Sequence, residues 1–175
     1  MLTSGGTMLF PTDTGWCIGC DATNDLAILK ALAFNDCSES AFLTCLVANQ
    51  AMLERHIAKV PDVAYDIMDL SIKPTTLVLD HPVRFAKSLI DNYSIGIRVA
   101  SDKFCQYLIN RFKRPVLAIP VHPIDKPHPI NIKEISNEIL KSVDYVVNLQ
   151  LEKENTSLSS IIKLSNDGTV QVIRE

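Results

Sequence analysis

The sequence predicts an α/β fold, a twisted and mostly mixed β-sheet flanked by helices. Three observations carry that prediction. Short apolar or β-branched runs such as Thr75-Thr76-Leu77-Val78-Leu79 alternate with amphipathic stretches along the chain. The last two such runs are joined by Asn166-Asp167-Gly168, the turn chemistry of a hairpin. With 175 residues, 47% hydrophobic and 21% charged, the chain can bury a sizeable core as a single domain over 1–175, without help from disulfides.

Taken in order, Gly5-Gly6 leads into Thr7-Met8-Leu9-Phe10, an apolar strand that Pro11 is expected to stop, and Thr12-Asp13-Thr14-Gly15 follows as a polar loop. Asn24 is placed to cap a helix with Leu26, Leu29 and Ala33 on one face. After the polar, acidic stretch Asn35 to Ser40, Leu43 to Ala48 reads as a buried strand. Helices are expected at about 50–57 and at 61–71, the second opened by Pro61 in its first turn. Thr75 to Leu79 is strand-like, and a helix near 83–91 precedes the strand Ser94 to Val99. Asp102 caps a helix whose apolar face carries Phe104, Tyr107, Leu108 and Phe112. Pro115 to Val121 returns as a buried strand, followed by a proline-rich loop from Pro120 to Pro129. A helix at about 133–141, a strand from Tyr145 to Leu149 and the hairpin of Ser160–Leu164 with Thr169–Ile173 complete the order.

Composition excludes several classes of protein. The longest apolar runs, Ile95 to Val99 and Val116 to Val121, fall far short of the roughly 20 residues of a membrane span, which predicts a soluble, cytoplasmic protein. Five cysteines, an odd number in apolar surroundings, fit small buried hydrophobes in a reducing compartment. Cys17 and Cys20 form a lone C-x-x-C, and His56, His81, His122 and His128 share no finger-like spacing, so no metal site is assigned. The net charge of −3 argues against a protein that coats nucleic acid. The charge is unevenly placed, however. Residues 1–72 hold three Lys/Arg and nine Asp/Glu, whereas residues 98–133 hold seven basic residues and two acidic ones. Arg111, Lys113 and Arg114 belong to that basic segment, which is either a local anion-binding surface or a solvated helix face.

Neither a P-loop, G-x-G-x-x-G, G-x-S-x-G nor H-E-x-x-H is present. The most suggestive segment runs from Pro11 to Asp21, where two hydroxyls and a carboxylate follow a strand beside the only tryptophan. Gly5-Gly6-Thr7-Met8-Leu9-Phe10-Pro11-Thr12-Asp13-Thr14, with Trp16 and Gly19-Cys20-Asp21, resembles the opening of the YrdC-like family, the threonylcarbamoyl-AMP synthases and their YciO-type relatives. Further likenesses follow in the family's order: Pro74 to Leu79, Ile95-Gly96-Ile97-Arg98-Val99, Ser159-Ser160-Ile161-Ile162, and Asp167-Gly168 with Val172-Ile173-Arg174. The resemblance spans nearly the whole chain.

It implies a twisted sheet around a concave, electropositive central cavity. It also implies chemistry in which ATP, bicarbonate and L-threonine give threonylcarbamoyl-adenylate and pyrophosphate for tRNA modification. That chemistry needs cations for the triphosphate, hydroxyls to orient carboxylates, and a site closed against water. ATP and Mg²⁺ would form the substrate pair, with no permanently bound cofactor. Carried over by position, Thr12, Asp13, Thr14, Trp16 and Arg98 fall at the substrate cavity, Asp13 standing where the family has Glu. Pro120, His122, Ser160 and Arg174 fall near the nucleotide. The family's K-x-R reads Asn35-Asp36-Cys37 here, and its S-x-N reads Pro120-Val121-His122, so cations and a hydroxyl are lost. No catalytic residue is therefore assigned. The sequence reads as a YrdC-like protein linked to tRNA threonylcarbamoyladenosine modification that binds nucleotide or a small anion, and tRNA or double-stranded RNA through Arg111, Lys113 and Arg114. An active L-threonylcarbamoyladenylate synthase is the alternative.

Overall fold

In the computed structural model, which describes residues 1–33, 43–121, 129, 131–149 and 158–175, strand β1 (Met8–Thr12) turns after two residues into β2 (Gly15–Asp21). The segment expected to be an open loop is thus a hairpin tip, and a seven-residue strand follows it that the sequence reading did not foresee. Neither Asp13 nor Thr14 adopts a positive φ; Gly15, at φ 121°, takes up the chain reversal. Pro11 does not stop β1. It sits inside the strand opposite Trp16, with its backbone turned away from β2, since its carbonyl accepts from Cys105 Sγ at 3.5 Å. A missing N–H costs nothing on that side.

The remaining elements are α1 (Asp25–Leu32), β3 (Thr44–Val47), α2 (Gln50–His56), α3 (Asp62–Leu70), β4 (Thr75–Asp80), α4 (Lys87–Ile90), β5 (Ser94–Val99), α5 (Lys103–Phe112), β6 (Val116–Pro120), α6 (Asn137–Ser142), β7 (Tyr145–Val146), β8 (Ser160–Leu164) and β9 (Val170–Arg174). Nine strands form one sheet in the order β7-β1-β2-β6-β3-β5-β4-β8-β9. The pairs β1/β7, β3/β5 and β4/β8 are parallel and the others antiparallel, so the sheet is mixed, as expected. Strand β2 is buried along its whole length, β3 and β6 are buried except at half-buried Thr44 and Pro120, and α1 and α5 pack against them.

Side-chain alternation along the strands explains two glycines. A Cβ on Gly19 would stand 2.5 Å from Cε1 of Phe10, whose ring lies across it, and a Cβ on Gly96 would meet the Leu43 carbonyl oxygen at 2.8 Å. Alternation also places Cys17 and Cys20 on opposite faces of β2, where they cannot share a ligand.

Several helices differ from expectation for local reasons. Asn24 caps α1 by accepting from the N–H groups of Leu26 and Ala27, but Ala27, Ile28 and Ala31 face inward, while Leu26 and Leu29 point out. The small inward side chains let α1 lie close against β2 and β6. The helix expected near 83–91 shrinks to α4, because Arg84 takes φ 60° and the Val83 N–H donates to the His56 carbonyl. The one expected at 133–141 is split by extended Ile135 into a 3-10 turn at Ile132–Glu134 and α6. On α5, Cys105 and Ile109 are the fully buried residues, and Tyr107 is exposed rather than apolar-facing. Strand β7 is two residues long instead of five. Most of the Pro120–Pro129 loop lies outside the described residues.

Candidate functional site

The β1–β2 tip is tied together by its own side chains. Thr12 Oγ1 donates to the Gly15 carbonyl at 2.8 Å and accepts from the Thr14 N–H at 3.1 Å, and its 3.2 Å partner is Thr14 Oγ1. With the Thr12 proton committed to Gly15, the Thr14 hydroxyl donates to Thr12 and accepts from Arg98 Nη2 at 3.0 Å. The same Nη2 stands 2.9 Å from Asp13 Oδ1. Asp13 Oδ2 accepts from Ser101 Oγ at 2.7 Å, on the loop between β5 and α5. Both charged side chains are buried, Arg98 5% and Asp13 8% exposed, so the pair fixes geometry more than it adds net stability.

This contact reveals the curvature of the sheet. Asp21, Val116, Leu46 and Arg98 share one register row across β2, β6, β3 and β5. A flat sheet would hold Arg98 about 14 Å from β2, three strand spacings away. It would also hold it level with the opposite end of β2 from the hairpin tip. Contact at 2.9 Å requires the sheet to coil until the tip reaches the C-terminal end of β5.

A second cation joins from the other side of the sheet. Arg174, the last residue of β9, donates from Nε to the Ser159 carbonyl at 2.9 Å and from Nη2 to Ser159 Oγ at 3.2 Å, while Thr76 Oγ1 of β4 donates to the same hydroxyl. Burial, and then the positive charge of Arg98, push the Arg174 pKa down. Arg98 Nε is buried without a hydrogen-bond partner among the described residues. So is Oδ2 of Asp102, whose Oδ1 caps α5 at the Cys105 N–H, 2.8 Å away.

The arrangement can hold an anion. Burial pushes the thiols of Cys20, Cys45 and Cys105 up, that of Cys20 to about 12, so they stay protonated near neutral pH.

Of the residues picked out from sequence, Thr12, Asp13, Thr14 and Arg98 meet directly, and Arg174, held by Ser159, lies within electrostatic reach of Arg98. Trp16 is 3% exposed and shares the opposite face of the hairpin with Pro11. Pro120 ends β6 opposite Cys17, one residue before Val121 N–H donates to the Trp16 carbonyl. Ser160 is half-buried at the start of β8, its N–H on the Pro74 carbonyl; the neighbouring Ser159 is the serine that Arg174 engages. His122 and Asn35-Asp36-Cys37 lie outside the described residues. Arg111, Lys113 and Arg114 are exposed at the end of α5, and Arg114 is shared with buried Asp21, Nη1 to Oδ2 2.8 Å. Sequence reasoning missed Ser101 and Ser159. The first follows directly on a strand end, a position that often carries function, and the second lay in a quoted motif beside the residue chosen.

All of residues 1–175 match the model of the Sua5/YciO/YrdC family, described as "Telomere recombination", and the chain belongs to that family. A Methanocaldococcus jannaschii relative is 26% identical over 97% of this chain and 79% of its own length. The threonylcarbamoyl-AMP synthase of Pseudoalteromonas translucida is 25% identical over 91% of this chain and 87% of its own. Among solved structures, E. coli YciO superposes with a TM-score of 0.83 at 22% identity, over 99% of this chain and 84% of that one. P. abyssi Sua5, in a double-alanine variant, superposes with a TM-score of 0.84 at 19% identity over 99% of this chain. This chain spans 53% of that Sua5 chain, and Sua5 has also been solved in complex with L-threonine. The family is thereby linked to threonylcarbamoyl-AMP synthesis, and the structural likenesses establish the fold. No helix among the described residues is long and apolar enough to cross a membrane.

Proposed function

We propose that the chain binds a nucleotide or a small carboxylate at the Arg98–Arg174 site, in the service of cytoplasmic tRNA threonylcarbamoyladenosine modification, with slow turnover or none. One observation carries the reading. Arg98 is 4% exposed and has no hydrogen-bond partner for Nε among the described residues, and its charge, after burial, helps to lower the pKa of Arg174. An anion between the two gains from both and relieves their repulsion. The complex of P. abyssi Sua5 with L-threonine supports an amino-acid carboxylate as one such ligand.

Slow turnover follows from the sequence. Asn35-Asp36-Cys37 replaces a cation-bearing signature, and each lost charge-assisted contact weakens triphosphate binding by about 1.5–3 kcal/mol. If ATP is the ligand, Mg²⁺ would accompany its phosphates. An active synthase remains the second reading, favoured by the names of the curated relatives. Binding of double-stranded RNA would fall to Arg111, Lys113 and Arg114 and would weaken steeply with salt.

Calorimetric titration with ATP, with and without L-threonine and Mg²⁺ at two salt concentrations, separates these readings when pyrophosphate is followed in parallel. Saturable binding without pyrophosphate is expected. Pyrophosphate that requires both threonine and bicarbonate would establish the synthase. Absence of binding by ATP and by threonine would overturn the site.

A further inference from the structure

A cavity of about 620 Å³ opens beside α5 and shares no lining residue with the Arg98–Arg174 site. Its floor is Leu2, Met8 and Val147, all buried, and one wall is the stripe Phe104, Leu108 and Phe112, which recurs every four residues along one face of α5. These three are half-buried, whereas Cys105 and Ile109 on the adjoining face are fully covered by the core. The helix therefore carries more apolar surface than its own fold covers.

The chemistry of the lining narrows the occupant. Among the described lining residues Arg111 carries the only charged side chain, and the other lining charge is the Met1 ammonium, also positive. Arg111 is exposed and takes part in no ion pair among the described residues. A cation without an ion-pair partner among the described residues, lining an apolar cavity, matches a ligand with one anionic end and an apolar body. The volume lies in the small-ligand range of about 300–1,000 Å³. A planar guanidinium takes both oxygens of a carboxylate at once. Met8 in the floor is an unbranched thioether that adjusts to an irregular apolar chain.

We propose that this cavity binds a monomeric apolar carboxylate of about the size of a medium-chain fatty acid, its carboxylate on Arg111 and its chain against Phe104, Leu108 and Met8. The proposal is independent of the function of the Arg98 site. Its test is calorimetric titration of the full chain with decanoate below the micellar concentration, with decanol and decyltrimethylammonium as controls of equal tail. Decanoate should bind saturably, one per chain, and the two controls more weakly by about tenfold or more. Arg111→Gln, a surface change that should leave folding intact, should weaken decanoate by a similar factor and leave decanol unaffected. Leu108→Trp, checked for folding by circular dichroism, should block all three by filling the cavity. Equal affinity for the three head groups, no effect of Arg111→Gln, or no saturable binding would each overturn the proposal. So would partition onto phosphatidylglycerol vesicles without binding of free decanoate, or sedimentation showing a dimer that covers this face.

Discussion

Arg98 and Asp13 hold each other in a place where neither charge could stay alone. Replacing Arg98 by Met leaves the 8%-exposed Asp13 carboxylate with Ser101 as its one remaining partner among the described residues, and we expect a loss of about 3–5 kcal/mol in urea unfolding. The double variant Arg98→Met/Asp13→Asn should recover a substantial part of that loss, because the uncompensated charge is gone. Equal loss in the single and double variants would mean that the pair does not couple. His56 gives a second residue-scale expectation. Its ring is buried against Phe85, and Nδ1 lies 2.8 Å from the Met52 carbonyl. Burial, first of all, lowers its pKa from the ordinary 6.5, with Arg55 and Arg84 adding to the effect. The unfolded chain then takes up a proton that the folded one resists, so stability is full above about pH 6.5 and is lost as pH falls through the folded value. Urea midpoints between pH 7.5 and 5 should fall in the parent and stay flatter in His56→Gln. At lower pH a further loss is due to Asp144, held down to about 2 chiefly by the Lys30 ammonium and the Thr7 N–H. That loss belongs between about pH 4 and 2.

Among the elements, the β1–β2 hairpin bears the tightest steric condition. The Phe10 ring occupies the space above Gly19, so Gly19→Ala should cost about 1–3 kcal/mol by overpacking. Adding Phe10→Leu should return part of it, since the obstructing atoms are the far end of a side chain. At Gly96 the obstruction is the Leu43 backbone carbonyl, and no second-site change of side chain should rescue Gly96→Ala. Chemical denaturation of the four proteins distinguishes the two cases. If Phe10→Leu fails to rescue Gly19→Ala, the ring is not what the glycine admits.

At the scale of the whole molecule, one coiled sheet carries both halves of the site: Thr12, Asp13 and Thr14 come from its β1–β2 side, and Arg174 from its β8–β9 edge. Trp16, the single tryptophan and 3% exposed, therefore reports on a structure that should open as a unit. We expect its fluorescence and the far-ultraviolet circular dichroism to trace one coincident urea transition. Separate midpoints would mean that the two sides of the sheet unfold independently. The sequence by itself determined what depends on a few neighbouring residues. Asn24 and Asp102 cap their helices, Asn166-Asp167-Gly168 turns the terminal hairpin, and Thr12, Asp13, Thr14 and Arg98 were legible as a set through the family motifs they occupy. Periodicity pointed to the wrong face of α1: Leu26 and Leu29 are its more hydrophobic residues, yet they are exposed, and Ala27 and Ala31 turn inward where the helix lies against β2 and β6. Nor did it show β2, whose residues are buried on both faces and so lack the alternation that marks a strand. Only the tertiary structure decided that Arg98 meets Asp13 across 85 positions of sequence and that Ser159, not Ser160, holds Arg174. Those contacts arise from the coiling of nine strands and from side-chain alternation within a register, and both are set by packing across the whole sheet rather than by any local run of residues.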